Sequence, residues 1–509
     1  QYENRPAFGG SPNDVSVYQA ILDLKARGFE VMFYPFIIMD IESGNSLNHP
    51  YSDNAATVGQ SVYPWRGRIT CSPAPGYAGT VDKTATARTQ VDAFLGTAEA
   101  SEFSGSAGAV TYSGTAEWGF NRFVLHMAEL CRQAGGVDYF CIGTEMVGAC
   151  LIRDQNNDFP FVEGLISLAA EVTTLLPSSE IGYAADWSEY HSYRPSDGSN
   201  DLYFHLDPLW ADSNIDFIGI DNYMKLSDWR DSDVHLDYGD GVNEYGNPQG
   251  ESVYDLAYLK GQIEGGEDYN YFYASAADRL SQTRTTISDG AYSKPWVYRN
   301  KDIKNWWLNS HHNRPLGVES ASATSWVPQS KPVIFTEYGC PAINKGTNQP
   351  NVFYDPKSSE SFVPYFSSGG RDDEIQRQYI RAMSEYWGDD ANNPTSSSYG
   401  AHMIDETRMC YWSYDARPWP TFPTDGDTWA DQSNWQYGHW ISGRIDTVCL
   451  PDLLNQLAED YNLTVGYDFS RAYGSCDGFI LQGKTSFRSA VEPLSSVFMF
   501  DIIESGDTL

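Results

Sequence analysis

The run PVIFTEYGCP (332–341) carries one charge, Glu337, at the close of an apolar, β-branched stretch, and VDYFCIGTE (137–145) ends in the same way on Glu145. A carboxylate placed there either pairs with a buried cation, for example Arg66 or Arg417, or faces something it reacts with. Two such groups brought to about 5 Å are the equipment of retaining glycoside hydrolysis. One attacks the anomeric carbon. The other protonates the leaving oxygen and then takes a proton from water. The acid of the pair needs a raised pKa, and its neighbour's negative charge supplies part of that shift.

Positioning two such side chains requires a scaffold, and the chain alternates helices with short apolar runs. SPND (11–14) supplies helix-capping residues before VSVYQAILDLKAR (15–27), which Gly28 stops. Helical spacing recurs over 118–134, 161–176 and 372–387. Strands are expected at 29–38, 137–145, 181–187, 214–223, 331–337 and 408–414. This alternation predicts a parallel sheet with crossover helices, and no Gly-rich phosphate loop follows an early strand, as a doubly wound sheet would often show. The expected architecture is therefore α/β, a (β/α)₈ barrel. Each strand closes in or near polar or aromatic residues: Tyr34, Glu145, Asp186 with Trp187, Asp221 with Tyr223, Glu337, and Trp412 with Asp415. In such a barrel those C-terminal ends form the active face. If the six strands are the last six of eight, Glu145 ends the fourth and Glu337 the seventh, across the mouth from each other.

Two long loops, 39–115 and 224–330, are expected to wall or cover that face. The barrel is expected to fill 1–430. From 431 a smaller α+β module is expected: strand-like 438–446, helix 451–461, strand 478–482, helix 486–498 and strand 499–504. The chain opens on Gln1 rather than Met, with no signal-type leader, which suggests a processed product or a piece of a longer polypeptide.

Composition narrows the partners. Lys+Arg 33 against Asp+Glu 68 gives 33 − 68 = −35, which argues against nucleic acid and anionic membranes. No run of 18 apolar residues predicts a transmembrane helix. The 15 tryptophans and 34 tyrosines suit either a packed core or flat rings stacked on sugars. The eight cysteines show no metal-type spacing and are expected to be buried thiols with few or no disulfides. His311 and His312 are expected in a solvated loop.

FTEYG (335–339) and IGTE (142–145) resemble the nucleophile and acid/base motifs of clan-A glycoside hydrolases. Residues 1–430 resemble a narrower family, the glycoside-hydrolase TIM-barrel-like domain of gene transfer agent and phage tail proteins. The resemblance rests on RPAFGGSPND (5–14), YPWRGRITC (63–71), IGIDNY (218–223), KPVIFTEYGCP (331–341) and NQPNVFYDPKSSES (348–361). Residues 438–509, with GHWISGR (438–444), resemble the start of the tail-hub module that follows this barrel. Family members carry barrel sequence upstream, so Gln1 is expected to lie inside one domain and Leu509 inside another. The first two barrel strands are not visible before Ser11.

The resemblance implies Glu145 as acid/base and Glu337 as nucleophile, with no cofactor and no metal. Clan members usually carry Asn before the acid/base; here it is Thr144, a G-T-E form shared by some mannanase-like relatives. Tyr223 is expected to hydrogen-bond Glu337, and Trp412 to form the platform under the sugar. Arg66, beside Trp65, either holds the nucleophile ionised, contacts a sugar hydroxyl, or makes a plain ion pair. Asp186, Trp187, Asp221 and Tyr34 complete the expected sugar-binding set. The implied partners are a polysaccharide or envelope glycan and other tail or baseplate proteins, with a homotrimer in the assembly. The implied location is the tail of a virion or virus-like particle made in the bacterial cytoplasm. Three functions compete: an active tail-borne glycosidase, a catalytically silent hub or receptor-binding part, and a free glycosidase unrelated to virions.

Overall fold

The computed structural model describes residues 12–54, 56–354, 358–414, 417, 420–426, 435, 437–441, 448–476, 478–481, 483–506 and 508–509. Its centre is a five-stranded, all-parallel sheet built in chain order from β1 (Met32–Phe33), β2 (Tyr139–Thr144), β3 (Glu180–Asp186), β4 (Phe217–Asn222) and β5 (Val333–Tyr338). Strands β2, β4 and β5 are buried at every residue, as strands covered on both faces must be, which explains their continuous apolar reading. The domain is α/β, with the parallel sheet at its centre.

Helix α1 (Asp14–Ala26) is capped by Asn13, whose side chain accepts from the Ser16 N–H, and the chain leaves it through Gly28 at φ 84°. A second helix, α2 (Ala85–Leu95), lies inside the first long loop and packs on α4 (Pro160–Leu175). Helix α3 (Phe120–Gln133) turns Val124, Leu125, Ala128 and Cys131 inward, and α5 (Asp373–Trp387) buries Ile375, Tyr379, Ala382 and Met383. These faces cover the sheet and form one continuous core.

The two outer strands are shorter than expected. The expected 29–38 strand contracts to Met32–Phe33, which pairs with β2 along one edge, while Phe29 is exposed. The expected 408–414 strand is not a strand. Its segment runs parallel to β5 through isolated bridges, Val333 to Ile404 and Tyr338 to Tyr411, interrupted by a 3₁₀ turn at Glu406–Arg408. That turn is stabilised by Asp405, which accepts from the Thr407 N–H and hydroxyl at 3.1 and 2.6 Å.

Both long loops carry structure of their own. The first adds an antiparallel ladder between Phe103–Ser106 and Ala109–Tyr112; the second holds short helices such as Ile303–Leu308 and a network of buried ion pairs. His311 is not solvated. It is fully buried, with Nδ1 3.0 Å from Asp207 and Nε2 2.7 Å from the Trp306 carbonyl, because the loop folds into a core that needs those polar atoms paired. All eight cysteines are free thiols, six of them buried. No helix among the described residues is long and apolar enough to cross a membrane.

After the barrel, α6 (Leu450–Asp460) and α7 (Phe487–Phe498) close a small core of Leu454, Leu457, Phe469, Val491 and Leu494. The strands expected at 478–482 and 499–504 do not form among the described residues. Ile480 is 82% exposed and Ile503 73%, so neither side chain is covered by the module's core. The module's ladder is instead Val448–Cys449 against Ser475–Cys476. Of the expected 438–446 strand, residues 442–446 lie outside the described residues. Residues 438–441 thread back into the barrel, where Ile441 N–H donates to Ser413 O at 2.8 Å.

Candidate active site

Register places the acidic strand ends side by side. Asp186 stands opposite Asp221, and Asp221 opposite Glu337. Irregularities in pairing fall between Cys141 and Thr144 on β2 and between Gly219 and Asp221 on β4, where they re-aim the side chains that follow. Glu145 itself leaves β2 with φ 46°, while its N–H still donates to Ala184 O at 2.8 Å. A left-handed glutamate is an uncommon backbone state, of the kind that persists where the surroundings hold it in place.

The first long loop brings cationic and indole donors to this carboxylate. A Cβ on Gly148 would lie 2.6 Å from Ile69 O and 2.8 Å from Gly67 O, so the missing side chain lets the Trp65–Ile69 turn lie against the barrel. From that turn Trp65 Nε1 donates to Glu145 Oε2 at 2.6 Å, and Arg66 Nη2 pairs with the same oxygen at 2.8 Å. Arg66 also donates to the Thr144 hydroxyl at 2.8 Å and the Thr144 carbonyl at 3.1 Å, and its guanidinium lies over the Phe36 ring. Glu360 anchors the turn from the far wall, accepting from the Trp65 N–H at 2.7 Å and pairing with Arg68 at 2.6 Å.

Glu337 has a different environment. The Tyr223 phenol donates to its Oε2 at 2.5 Å, and no cation pairs with it among the described residues. Beneath both glutamates lies Asp221, fully buried, which accepts from Tyr34 at 2.5 Å, Thr144 at 3.2 Å and Thr336 at 2.7 Å. One oxygen from each of Glu145, Asp221 and Glu337 lies within 4.8 Å of the others. Such a triad has the donors and spacing to hold a cation, although here the Arg66 guanidinium already supplies the positive charge to Glu145.

The two glutamates face an open-mouthed cavity of about 460 Å³. Its wall includes Trp65, Arg66, Asp186, Trp187, Tyr223 and Trp412 from the expected set. Three expected sugar contacts do not reach that wall. Asp221, Thr144 and Tyr34 bond to one another below it, and the Thr144 hydroxyl is engaged by Arg66, Asp221 and Tyr34 together. Held among these three partners below the wall, it does not reach the cavity to stand in for the usual Asn. Arg66 pairs with Glu145 rather than with the expected nucleophile. A Cβ on Gly339 would lie 2.7 Å from Trp412 O, so glycine there admits the segment that carries Trp412.

The cavity also has walls that the sequence reading did not single out. Phe36 follows β1, Tyr63 comes from the first long loop, and Phe353, Glu360 and Phe362 come from 348–362. That last segment was visible as a motif, but nothing in its spacing showed that it folds over the barrel mouth. His439 backs the wall, stacking on Phe353 at 4.1 Å and edge-on to Tyr223 at 5.2 Å. Burial pushes its imidazole down to about 3, so it stays neutral.

Burial, then the charge of Glu145, pushes Glu337 up to about 7, against the opposing pull of Arg66 and the phenols. Burial and the charges of Glu337 and Glu145 drive Asp221 well above the ordinary carboxylate range. Asp186 is driven the same way by burial and Glu145. Four neighbouring carboxyls and one guanidinium cannot all be ionised, so this floor retains protons at neutral pH.

A parallel sheet with two glutamates over its C-terminal rim fits a TIM-barrel-like domain, and the sequence match agrees. Residues 118–423 match the model of the GTA TIM-barrel-like domain, and the chain belongs to that family. No curated protein sequence matches the chain. Among solved structures, a GH113 β-1,4-mannanase aligns at 13% identity with a TM-score of 0.30, covering 74% of this chain and 64% of that one. The GH113 β-mannanase from Alicyclobacillus acidocaldarius in complex with ManMIm aligns at 13% identity with a TM-score of 0.26, covering 63% and 55%. The chain thus spans less than two-thirds of the length of either structure, and a likeness this distant carries no functional inference.

Proposed function

We propose that the barrel binds a glycan and hydrolyses it by a retaining double displacement, with Glu337 as nucleophile and Glu145 as acid/base. The observation that carries this reading is the convergence of the two carboxyls to within 4.8 Å at the floor of an open, aromatic-walled cavity. That is the retaining spacing; the inverting arrangement needs about 6.5–9.5 Å to seat a water. Tyr223 orients Glu337 through its phenol, and Trp187 and Trp412 supply flat faces for the sugar. Turnover requires the proton on Glu145 and the charge on Glu337 when the glycosidic oxygen arrives.

We further propose that the chain works as a tail or baseplate hub component of a phage or gene transfer agent, acting on a host surface glycan. Its partners would be other tail proteins, its assembly a homotrimer and its location the particle tail. Support comes from the family's gene-transfer-agent association and from the tail-hub resemblance of 438–509.

A specific observation favours a second reading, a silent glycan-binding barrel. Arg66 and Trp65 both bond Glu145 Oε2, so the carboxyl that would have to donate a proton is held by a guanidinium and an indole N–H. Reducing-end release from host polysaccharides, measured for the wild-type chain and for Glu337→Gln, separates the two. Activity lost in the variant supports hydrolysis. Equal background from both, with glycan still bound, supports the silent barrel.

A further inference from the structure

Resting on the glycan reading above, we infer that the cavity accepts uncharged sugars and turns away glycans whose enclosed residues carry carboxylate, sulfate or phosphate groups.

Two cations stand among the described residues of the wall, Arg66 and Arg68, and each is paired with a carboxylate. Arg66 spends its donors on Glu145 and on Thr144 twice, within a side chain only 11% exposed. Arg68 lies at the rim, paired with Glu360 at 2.6 Å. Each guanidinium is therefore matched by a carboxylate already in place. Two further wall carboxyls have no cation: Glu337 is bonded by the Tyr223 phenol, and Asp186 accepts from the Ser188 N–H at 2.9 Å and from the Ser188 hydroxyl. Asp221 adds another beneath the floor.

The raised positions of Glu337 and Asp186 mean that the wall holds protons at neutral pH. Protons bring it toward neutrality and never to net positive. Among the described residues, an entering anion thus meets no cation without a carboxylate partner, and the carboxyls stand at close range in a site partly shielded from water. The chain's net charge of −35 opposes the approach of a polyanion from further out. The remaining wall is flat and apolar: Trp187, Trp412, Phe353 and Phe362 suit the C–H faces of a neutral pyranose.

The test is calorimetric titration of the full chain with β-1,4-linked mannose, glucose and galactose hexaoses, each paired with its own C6-oxidised uronate form. The expected result is that a neutral hexaose binds and its uronate counterpart binds at least about tenfold more weakly. The ratio should shrink in 1 M salt, which screens the repulsion. Trp412→Ala should weaken the neutral hexaose, placing it in this cavity. Equal or tighter binding of a uronate, or neutral binding untouched by Trp412→Ala, overturns the inference while leaving glycan recognition standing. Failure of every hexaose in both forms removes the glycan reading itself, and this inference with it.

Discussion

Glu145 and Glu337 close neighbouring parts of one rim, yet the protein treats them in opposite ways. Glu145 receives a guanidinium and an indole N–H on one oxygen. Glu337 receives a phenol and is pushed up to about 7 by burial and by Glu145's own charge. The site therefore favours the proton at Glu337 and gives its cation to Glu145. A retaining reaction that begins with attack by Glu337 needs the reverse distribution. The lesson is that carboxyl spacing alone does not set the roles. A substrate that displaces Arg66 from Glu145 would remove that contrast.

The sharpest way to break this comparison is to remove its members in turn. Glu337→Gln should abolish glycan hydrolysis to background while leaving binding intact, read by reducing-end release beside calorimetry. Glu145→Gln should slow release by about 10²–10⁴-fold, the usual worth of a general acid–base group. An equal and complete loss in both variants would mean that they act as a unit.

Arg66→Gln tests the Glu145 side through stability. Breaking a pair in which both side chains are about nine-tenths buried should destabilise the chain by roughly 3–5 kcal/mol, read by chemical denaturation. A change near zero would mean that Glu145 simply takes up a proton when its cation leaves. Tyr223→Phe tests the Glu337 side. Loss of one hydrogen bond to a charged group, about 1.5–3 kcal/mol, should lower kcat/KM roughly tenfold to a hundredfold.

The smallest effect sharpens the electrostatic contrast. Glu337 and Glu189 both lie near 7 when folded, well above an ordinary glutamate. Between about pH 4.5 and 7 the folded chain therefore holds protons that the unfolded chain has released. Their contribution to stability is fullest below the unfolded value and is lost as pH rises through 7. The share of stability carried by these two carboxyls should fall from pH 5 to pH 8, against the rise contributed by buried histidines such as His439, and Glu337→Gln should remove part of that fall from the melting-temperature profile. An unchanged slope in the variant would assign it to other groups.

How much of this was legible in the sequence depends on what each residue's position relies on. Glu145, Asp186, Asp221 and Glu337 could be found because each closes a buried strand, and burial on both faces writes itself as an apolar run. Trp187, Tyr223 and Trp412 follow from the same strand-end logic. The fate of the outer strands was not legible, because 29–38 and 408–414 read as apolar as the inner ones, and only missing or interrupted ladder partners shorten them. Thr144, Tyr34 and Asp221 were read as sugar contacts. A strand end fixes a residue's height in the barrel but not whether its side chain meets the cavity or the polar cluster below. Glu360, Phe353 and Phe362 reach the wall through a loop whose path is set by tertiary contacts such as Glu360 with the Trp65 N–H, and no period in the sequence encodes that.

The most direct measurement is the anomeric form of the first sugar released, followed by NMR in real time on a glycan the chain binds. Two carboxyls 4.8 Å apart or closer predict that the product appears first with the configuration of the bond that was cut. Release of the opposite anomer first, or no release from any glycan that binds, would contradict the assignment of Glu145 and Glu337 as a double-displacement pair.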